Sequence, residues 1–272
     1  MKHSFPNNHT APILAALAIV LTLGTKSHAT NLVGNGSFEA GSFLNHSGGF
    51  MLLPVDATEI TGWTVISDVI AWGFMANSDG IPPAHGSFFL DLQGPGLFSP
   101  PYGGVSQTIP TVIGKQYRLS FQLGTQEGIF NDRGPISVTA SGGDTTGSFT
   151  FAPTGPGGQW GEFGLVFTAT NAGTVISIVG TLTTGGAYIG LDQVSVEAAP
   201  DRPSLHLLAP GGQGAATVRL TGQDGFRFAV DASANLETWL PVATNTVSGG
   251  FADYSDAEAG GAFRCYRGRW IP

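Results

Sequence analysis

Hydrolysis by a nucleophile needs a hydroxyl or thiol with a base and an acid in reach, and side chains for that work are scarce in this sequence. Beyond residue 29 the only histidines are His46, His85 and His206, and no serine stands in a G-x-S-x-G turn. Zinc chemistry is no better served. There is no H-E-x-x-H, and Cys265 is the single cysteine, so neither a cysteine pair nor an internal disulfide can form. Gly142-Gly143-Asp144 and the glycines from 155 to 158 lack the Lys-Ser/Thr ending of a phosphate-binding loop. A glycosidase needs two carboxylates facing across a cleft, which spacing alone leaves open. The acids here stand mostly in glycine-rich turns, however, and no two of them pair off. The expectation is a protein that is not an enzyme, with glycoside hydrolase as the least favoured reading.

Binding chemistry is better represented. A sugar site needs aromatic rings to stack on pyranose C–H faces, with a few polar groups to fix orientation. Trp63, Trp72, Phe74, Tyr102 and Trp160 lie near loops. Trp72 and Tyr102 are the candidate ligand-binding residues, because Gly73 and the Pro100-Pro101 pair put them next to turns. Core packing is the competing role for both rings. Trp63, inside a strand pattern, is assigned to the core.

The elements that would hold such a site are strands. Tyr117 to Leu123 alternates apolar and polar with period two, and Ile189 to Val196 does the same. Val175 to Val179 is rich in β-branched residues, and Trp63 to Ile66 and Ser87 to Leu92 are short runs bounded by glycine. Between Asn31 and Glu197 this gives about ten strands at sandwich or barrel spacing. No apolar pattern keeps helical spacing over three turns after the leader, so the fold class is all-β. Ala198-Ala199-Pro200-Asp201-Arg202-Pro203 reads as a linker, since two prolines without N–H donors suit neither strand nor helix. Shorter strand runs follow at Ala216–Leu220, Phe226–Val230, Trp239–Ala243 and Phe263–Arg267.

Lys2 and His3 precede an apolar run from Ala11 to Leu23, and Ser27-His28-Ala29 offers small residues for cleavage. Residues 1–29 therefore read as a signal peptide, with no second candidate span after it. The chain carries a formal net charge of −8, and removal of Lys2 and Lys26 makes the remainder more acidic still. Nucleic acid and anionic lipid are poor partners for such a surface. The expected location is extracellular or at the cell surface.

Asn31-Leu32-Val33-Gly34-Asn35-Gly36-Ser37-Phe38-Glu39 resembles the opening of galactose-binding-like jelly rolls, including several families of carbohydrate-binding module. Ile60 to Val65, Phe89 to Gly94, and Gly104 to Thr111 followed by Gly114 extend the match. The ordered set is most similar to the DUF642-type and choice-of-anchor C domains of secreted proteins. After the linker at 199–203, Phe228 to Ser233, Asn235 to Trp239 and Arg264 to Arg267 resemble a small module of bacterial secreted proteins, a fibronectin- or immunoglobulin-like β-sandwich over 204–272. The longer match implies a jelly-roll β-sandwich over 30–198. It also implies a structural calcium ion between the first and last strands, held by Glu39 and Asp192, with the Ser37 carbonyl as a backbone ligand. Calcium takes about six to eight oxygens, which carboxylates and carbonyls on adjacent strand ends can supply. As ordinary turn acids, Glu39 and Asp192 would instead accept backbone N–H groups. Asp91 is read as a satisfied strand residue. The functional expectation is a lectin-like protein that binds a polysaccharide or cell-surface glycan, the alternative being a structural or adhesion protein without a sugar site.

Overall fold

The computed structural model describes residues 30–44, 48–73, 81–94, 100–125, 135–155, 157–183, 188–208, 216–257, 259 and 264–271. The leader at 1–29, His46 and Phe74 lie outside them. The described residues contain strands and no helix, in line with the composition and period-two patterning.

Two sheets form the first sandwich, and every strand pairing in them is antiparallel. The six-stranded sheet runs in the order β1 (Phe50–Leu53), β3 (Ile70–Gly73), β4 (Phe89–Asp91), β11 (Gly190–Ala198), β6 (Gln116–Thr125) and β9 (Gln159–Thr168). The five-stranded sheet runs β2 (Thr64–Ile66), β5 (Gly104–Pro110), β10 (Gly173–Leu182), β7 (Ile136–Gly142) and β8 (Thr145–Phe151). Together they make a jelly-roll β-sandwich.

β6 shows how sequence becomes layer. Tyr117, Leu119, Phe121 and Leu123 are buried, while Arg118, Ser120 and Gln122 between them are only partly covered. Alternate side chains of a strand point to opposite faces, so the first set fills the core and the second forms the outer face. Facing them across the core are Val138 and Ala140 of β7 and Ile176 and Ile178 of β10, all fully buried. Burying each side chain of Leu or Phe size contributes about 1.5–3 kcal/mol, which lets a sandwich of this size stand without a disulfide.

The chain opening is tied to the closing strand. Leu32 N–H donates to Val196 O at 2.8 Å, Val196 N–H to Asn31 Oδ1 at 3.0 Å, and Val194 N–H to Gly36 O at 2.8 Å. Gly36 is needed there, because a Cβ would stand 1.9 Å from Val194 O. This close approach sets the loop that carries Ser37 and Glu39 beside Asp192 of β11.

Residues 199–203 carry no strand. Beyond them two three-stranded sheets pack over a separate cluster of Leu220, Phe228, Val230 and Val247. One contains β12 (Ser204–Leu208), β13 (Ala216–Thr221) and β16 (Phe251–Asp256); the other has β14 (Arg227–Ser233) between β15 (Leu240–Thr246) and β17 (Cys265–Trp270).

Candidate functional site

The outer face of β9, β6 and β11 carries a ladder of side chains fixed by strand register. On one flank of β6, Gly124 lies opposite Trp160, Gln122 opposite Glu162, Ser120 opposite Gly164 and Arg118 opposite Val166. On the other flank, Gly124 meets Gly190, Gln122 meets Asp192, Ser120 meets Ser195 and Arg118 meets Glu197. Residues directly opposite in an antiparallel pair share a face. The rows from 124 to 118 therefore lay one aromatic, two serines, a glutamine and several charges along a strip of about 20 Å, at roughly 3.3 Å per residue.

A groove of about 350 Å³ runs over the middle of this strip, bordered by Ser37, His85, Ser120, Gln122, Glu162 and Ser195. It exists because the neighbouring positions are small or short, with glycine at 164 and serines at 120 and 195. Arg118 reaches diagonally across it to Glu162, Nη2 to Oε1 at 3.1 Å. A second cleft of about 450 Å³ begins at Arg118, Ser120 and Glu197, and its far wall is Phe226, Arg227 and Trp270 of the smaller sandwich.

Trp160 stands at the opposite end of the strip. Its ring lies over Gly124, where a Cβ would come within 2.4 Å of the ring carbons, and its edge reaches Gly190, where a Cβ would be 3.1 Å away. The indole N–H donates to Pro82 O at 2.8 Å, and Phe89 meets the ring edge-on at 5.7 Å. Glycine at 124 is thus a condition for an aromatic ring resting on the sheet. The side chain is only partly buried, and Glu162, the next position of β9 on that face, borders the groove.

Glu39 and Asp192 are brought to one turn. Glu39 Oε1 accepts the N–H groups of Ser87 and Phe88 at 2.9 and 2.8 Å, while Asp192 Oδ2 accepts that of His85 at 2.9 Å. Asp192 Oδ1 also takes the N–H of Gln193 at 2.6 Å, where β11 bulges and Gln193 adopts φ 50°. Burial pushes the Asp192 carboxyl up to about 6, with the charge of Glu39 adding to the rise and the N–H groups of His85 and Gln193 opposing it. Ser37 sits in the same loop as Glu39 and borders the groove. Among the described residues no cluster of three or more His, Cys, Asp or Glu forms, so any cation here would draw its remaining oxygens from backbone carbonyls, uncharged side chains or water.

The two aromatics expected to stack on sugar are core residues instead. Trp72 is 1% exposed, and its indole N–H donates to Phe38 O at 2.9 Å while Phe43 and Phe88 pack against the ring. Tyr102 is 2% exposed, with its Cβ against Gly180. Both stand beside turn signals in sequence, Trp72 before Gly73 and Tyr102 after Pro100-Pro101, but their side chains are directed between the sheets, and neither ring offers a face to a ligand. Trp63, also buried, donates its indole N–H to Asn35 O at 3.0 Å. Asp91 is buried, and its Oδ1 accepts the N–H groups of Gln93 and Ile189, both at 3.0 Å.

The strip itself was not singled out in the sequence. The signal was present in two features: the polar half of the alternation in β6, and a tryptophan at 160 whose cross-strand partner is a glycine. Reading it required the β6–β9 register, which no local pattern supplies.

No family model matches the sequence, and no curated protein does. Solved structures with a similar course of the chain are carbohydrate-binding modules with a β-sandwich fold, or larger proteins containing a comparable region. A family 61 carbohydrate-binding module in complex with β-1,4-galactotriose aligns with TM-score 0.39 and 16% identity, covering 63% of this chain and 100% of the module. A family 35 carbohydrate-binding module from Clostridium thermocellum aligns with TM-score 0.36 and 16% identity, over 55% of this chain and 99% of that one. An arabinose-bound α-L-arabinofuranosidase aligns with TM-score 0.38 and 14% identity, over 62% of this chain and 26% of the enzyme. Among the described residues no helix is long and apolar enough to cross a membrane.

Proposed function

We propose that this chain is an exported, non-catalytic protein that binds an extended polysaccharide along the outer face of β9, β6 and β11. The observation that carries the reading is the ladder from Trp160 through Gln122 and Glu162 to Ser120 and Ser195. A sugar chain presents hydroxyls that both donate and accept, together with apolar C–H faces. Amide and hydroxyl side chains likewise do both, and an aromatic ring resting on the sheet meets the C–H faces. The length of the strip favours an oligosaccharide segment over a single sugar.

Binding without turnover is supported by how the acids of the strip are engaged. Glu162 is paired with Arg118, and Asp192 is held by two backbone N–H groups. A glycosidase would keep one carboxyl protonated and aimed at a leaving oxygen, with its partner opposite.

A structural calcium ion held by Glu39, Asp192 and the Ser37 carbonyl belongs to the same proposal. Two carboxylates converge on one turn, one of them buried at a cost that a divalent cation would relieve. The ion would brace the chain opening against the closing strand. Affinity electrophoresis of the protein from residue 30 onward, through gels cast with neutral polysaccharides, tests the main reading. Retardation by at least one is expected; free migration through all of them would leave the structural or adhesive role in its place.

A further inference from the structure

The smaller sandwich carries a feature that the groove does not use. On the outer face of β14 and β17, Asp231 lies opposite Arg267, and Ala229 lies opposite Arg269. Both arginines donate through Nε to one oxygen, Asp231 Oδ2, at 3.1 and 2.9 Å. The Asp231 side chain is 2% exposed, whereas the arginine side chains are 49% and 48% exposed. The carboxylate is therefore a buried anchor, and the guanidinium groups project from it into solvent. Arg267 is further fixed by stacking on Trp239, its guanidinium carbon 4.6 Å from the ring centroid. Arg227, two residues before Ala229 on the same face, is exposed and has no ion-pair partner among the described residues.

Anchoring through Nε leaves the Nη donors of both arginines unused by any partner among the described residues. A guanidinium so held presents planar paired donors that match the oxygens of a carboxylate or sulfate, and holding it in advance lowers the ordering cost of binding. One carboxylate against three guanidiniums makes this face cationic on a chain whose formal net charge is −8. Nucleic acid is a poor partner for a chain of that overall charge, which leaves an acidic polysaccharide as the polymer for this face. Arg227 also borders the cleft that begins at Ser120, where the groove of the larger sandwich ends.

We infer that Arg267 and Arg269, anchored by Asp231 and flanked by Arg227, form a second binding site for the carboxylate or sulfate groups of an acidic polysaccharide. This rests on the polysaccharide reading for the choice of polymer but not for its site, since no groove residue takes part.

The test is affinity electrophoresis of the chain from residue 30 onward, at low ionic strength, through gels holding polygalacturonate, dextran sulfate or uncharged dextran. Simple removal of the arginines would strand a buried carboxylate, so the variant is the triple Asp231→Asn/Arg267→Gln/Arg269→Gln, with its melting curve recorded beside the wild type. Retardation of the wild type by a polyanion but not by dextran, weakened at least about tenfold in the triple variant, is expected from the loss of charge-assisted hydrogen bonds. Retardation by polygalacturonate alone assigns carboxylate, and by dextran sulfate alone assigns sulfate. A wild type that ignores both polyanions, or a folded triple variant that is retarded as strongly as the wild type, overturns the site. Trp160→Ala separates the two readings, because it should leave polyanion retardation intact even where it abolishes retention on a neutral polysaccharide.

Discussion

Glu39, from the opening loop, and Asp192, from the closing strand, grip the same turn: Glu39 takes the N–H groups of Ser87 and Phe88, and Asp192 takes that of His85. Two remote parts of the chain are thereby fastened through a third, with carboxylates as the fasteners. Burial raises the Asp192 carboxyl and the charge of Glu39 adds to the rise, which is the cost of sinking one acid beside another.

Calcium should convert that cost into stability. With the ion at about a hundredfold its dissociation constant, binding to the folded state alone adds about 2.7 kcal/mol, a rise in melting temperature of roughly 5–10 °C for a protein this size. Thermal melts with added calcium and with excess EDTA check this, and Glu39→Gln should abolish most of the difference. Identical melts in both conditions would remove calcium from the account.

Trp160→Ala should weaken polysaccharide retention about tenfold, in keeping with the energy of one aromatic stacking contact. Trp160→Phe, which keeps a ring over Gly124, should retain most of the binding. Tyr102→Phe should leave binding within about twofold of the wild type, because Tyr102 is buried and offers no face to ligand. Dissociation constants for the three variants decide the matter; unaltered binding by Trp160→Ala would move the site elsewhere.

Much of the architecture could be read from the sequence, because strand alternation is a local property. Tyr117 to Leu123 falls within β6 (Gln116–Thr125), and Ile189 to Val196 matches β11 (Gly190–Ala198) in all but its first residue. Glu39 and Asp192 could be singled out because a resemblance reached across the whole sandwich. The aromatic site could not. Whether a ring near a turn points inward or outward depends on the strand's phase against the sheet, and a shift of one residue exchanges the faces. Trp72 pairs with Met51 and Leu90, which with it face the core, so a glycine immediately after it did not make it a surface residue. Trp160 has the opposite phase, set by the pairing of β6 with β9.

Asp91 should make stability fall as pH rises through mild acid. Burial pushes its carboxyl from the ordinary 3.8 up to about 6, against the hydrogen bonds from Gln93 and Ile189. The fold therefore favours the protonated form. Its contribution is fully present below about pH 4, is lost as pH rises through about 6, and changes little above that. A rise of about two pKa units corresponds to about 3 kcal/mol at most. Asp91→Asn keeps an acceptor oxygen for both N–H groups and carries no charge. The stability difference between variant and wild type should grow in the variant's favour from pH 4 to pH 7 in urea titrations. A difference independent of pH would mean that Asp91 is ionised in the folded protein without penalty.

Gly124→Ala isolates the position of the Trp160 ring from its presence. The added methyl would stand 2.4 Å from the ring carbons, well inside van der Waals contact, so the indole must lift from the sheet or β6 must shift. Lifting strains the hydrogen bond to Pro82 O and the edge contact with Phe89. The expected cost in stability is about 1–3 kcal/mol, as for overpacking a close-fitted contact. Binding should fall nearly as far as in Trp160→Ala, although every polar group of the groove and the tryptophan itself remain. A comparable methyl at Gly114, where the left-handed φ of 81° makes a side chain costly but nothing lies within 4 Å, should lower stability without touching affinity. If Gly124→Ala binds polysaccharide as the wild type does while Trp160→Ala does not, the ring acts in some orientation other than flat on the sheet, and the stacking geometry assigned to it is wrong.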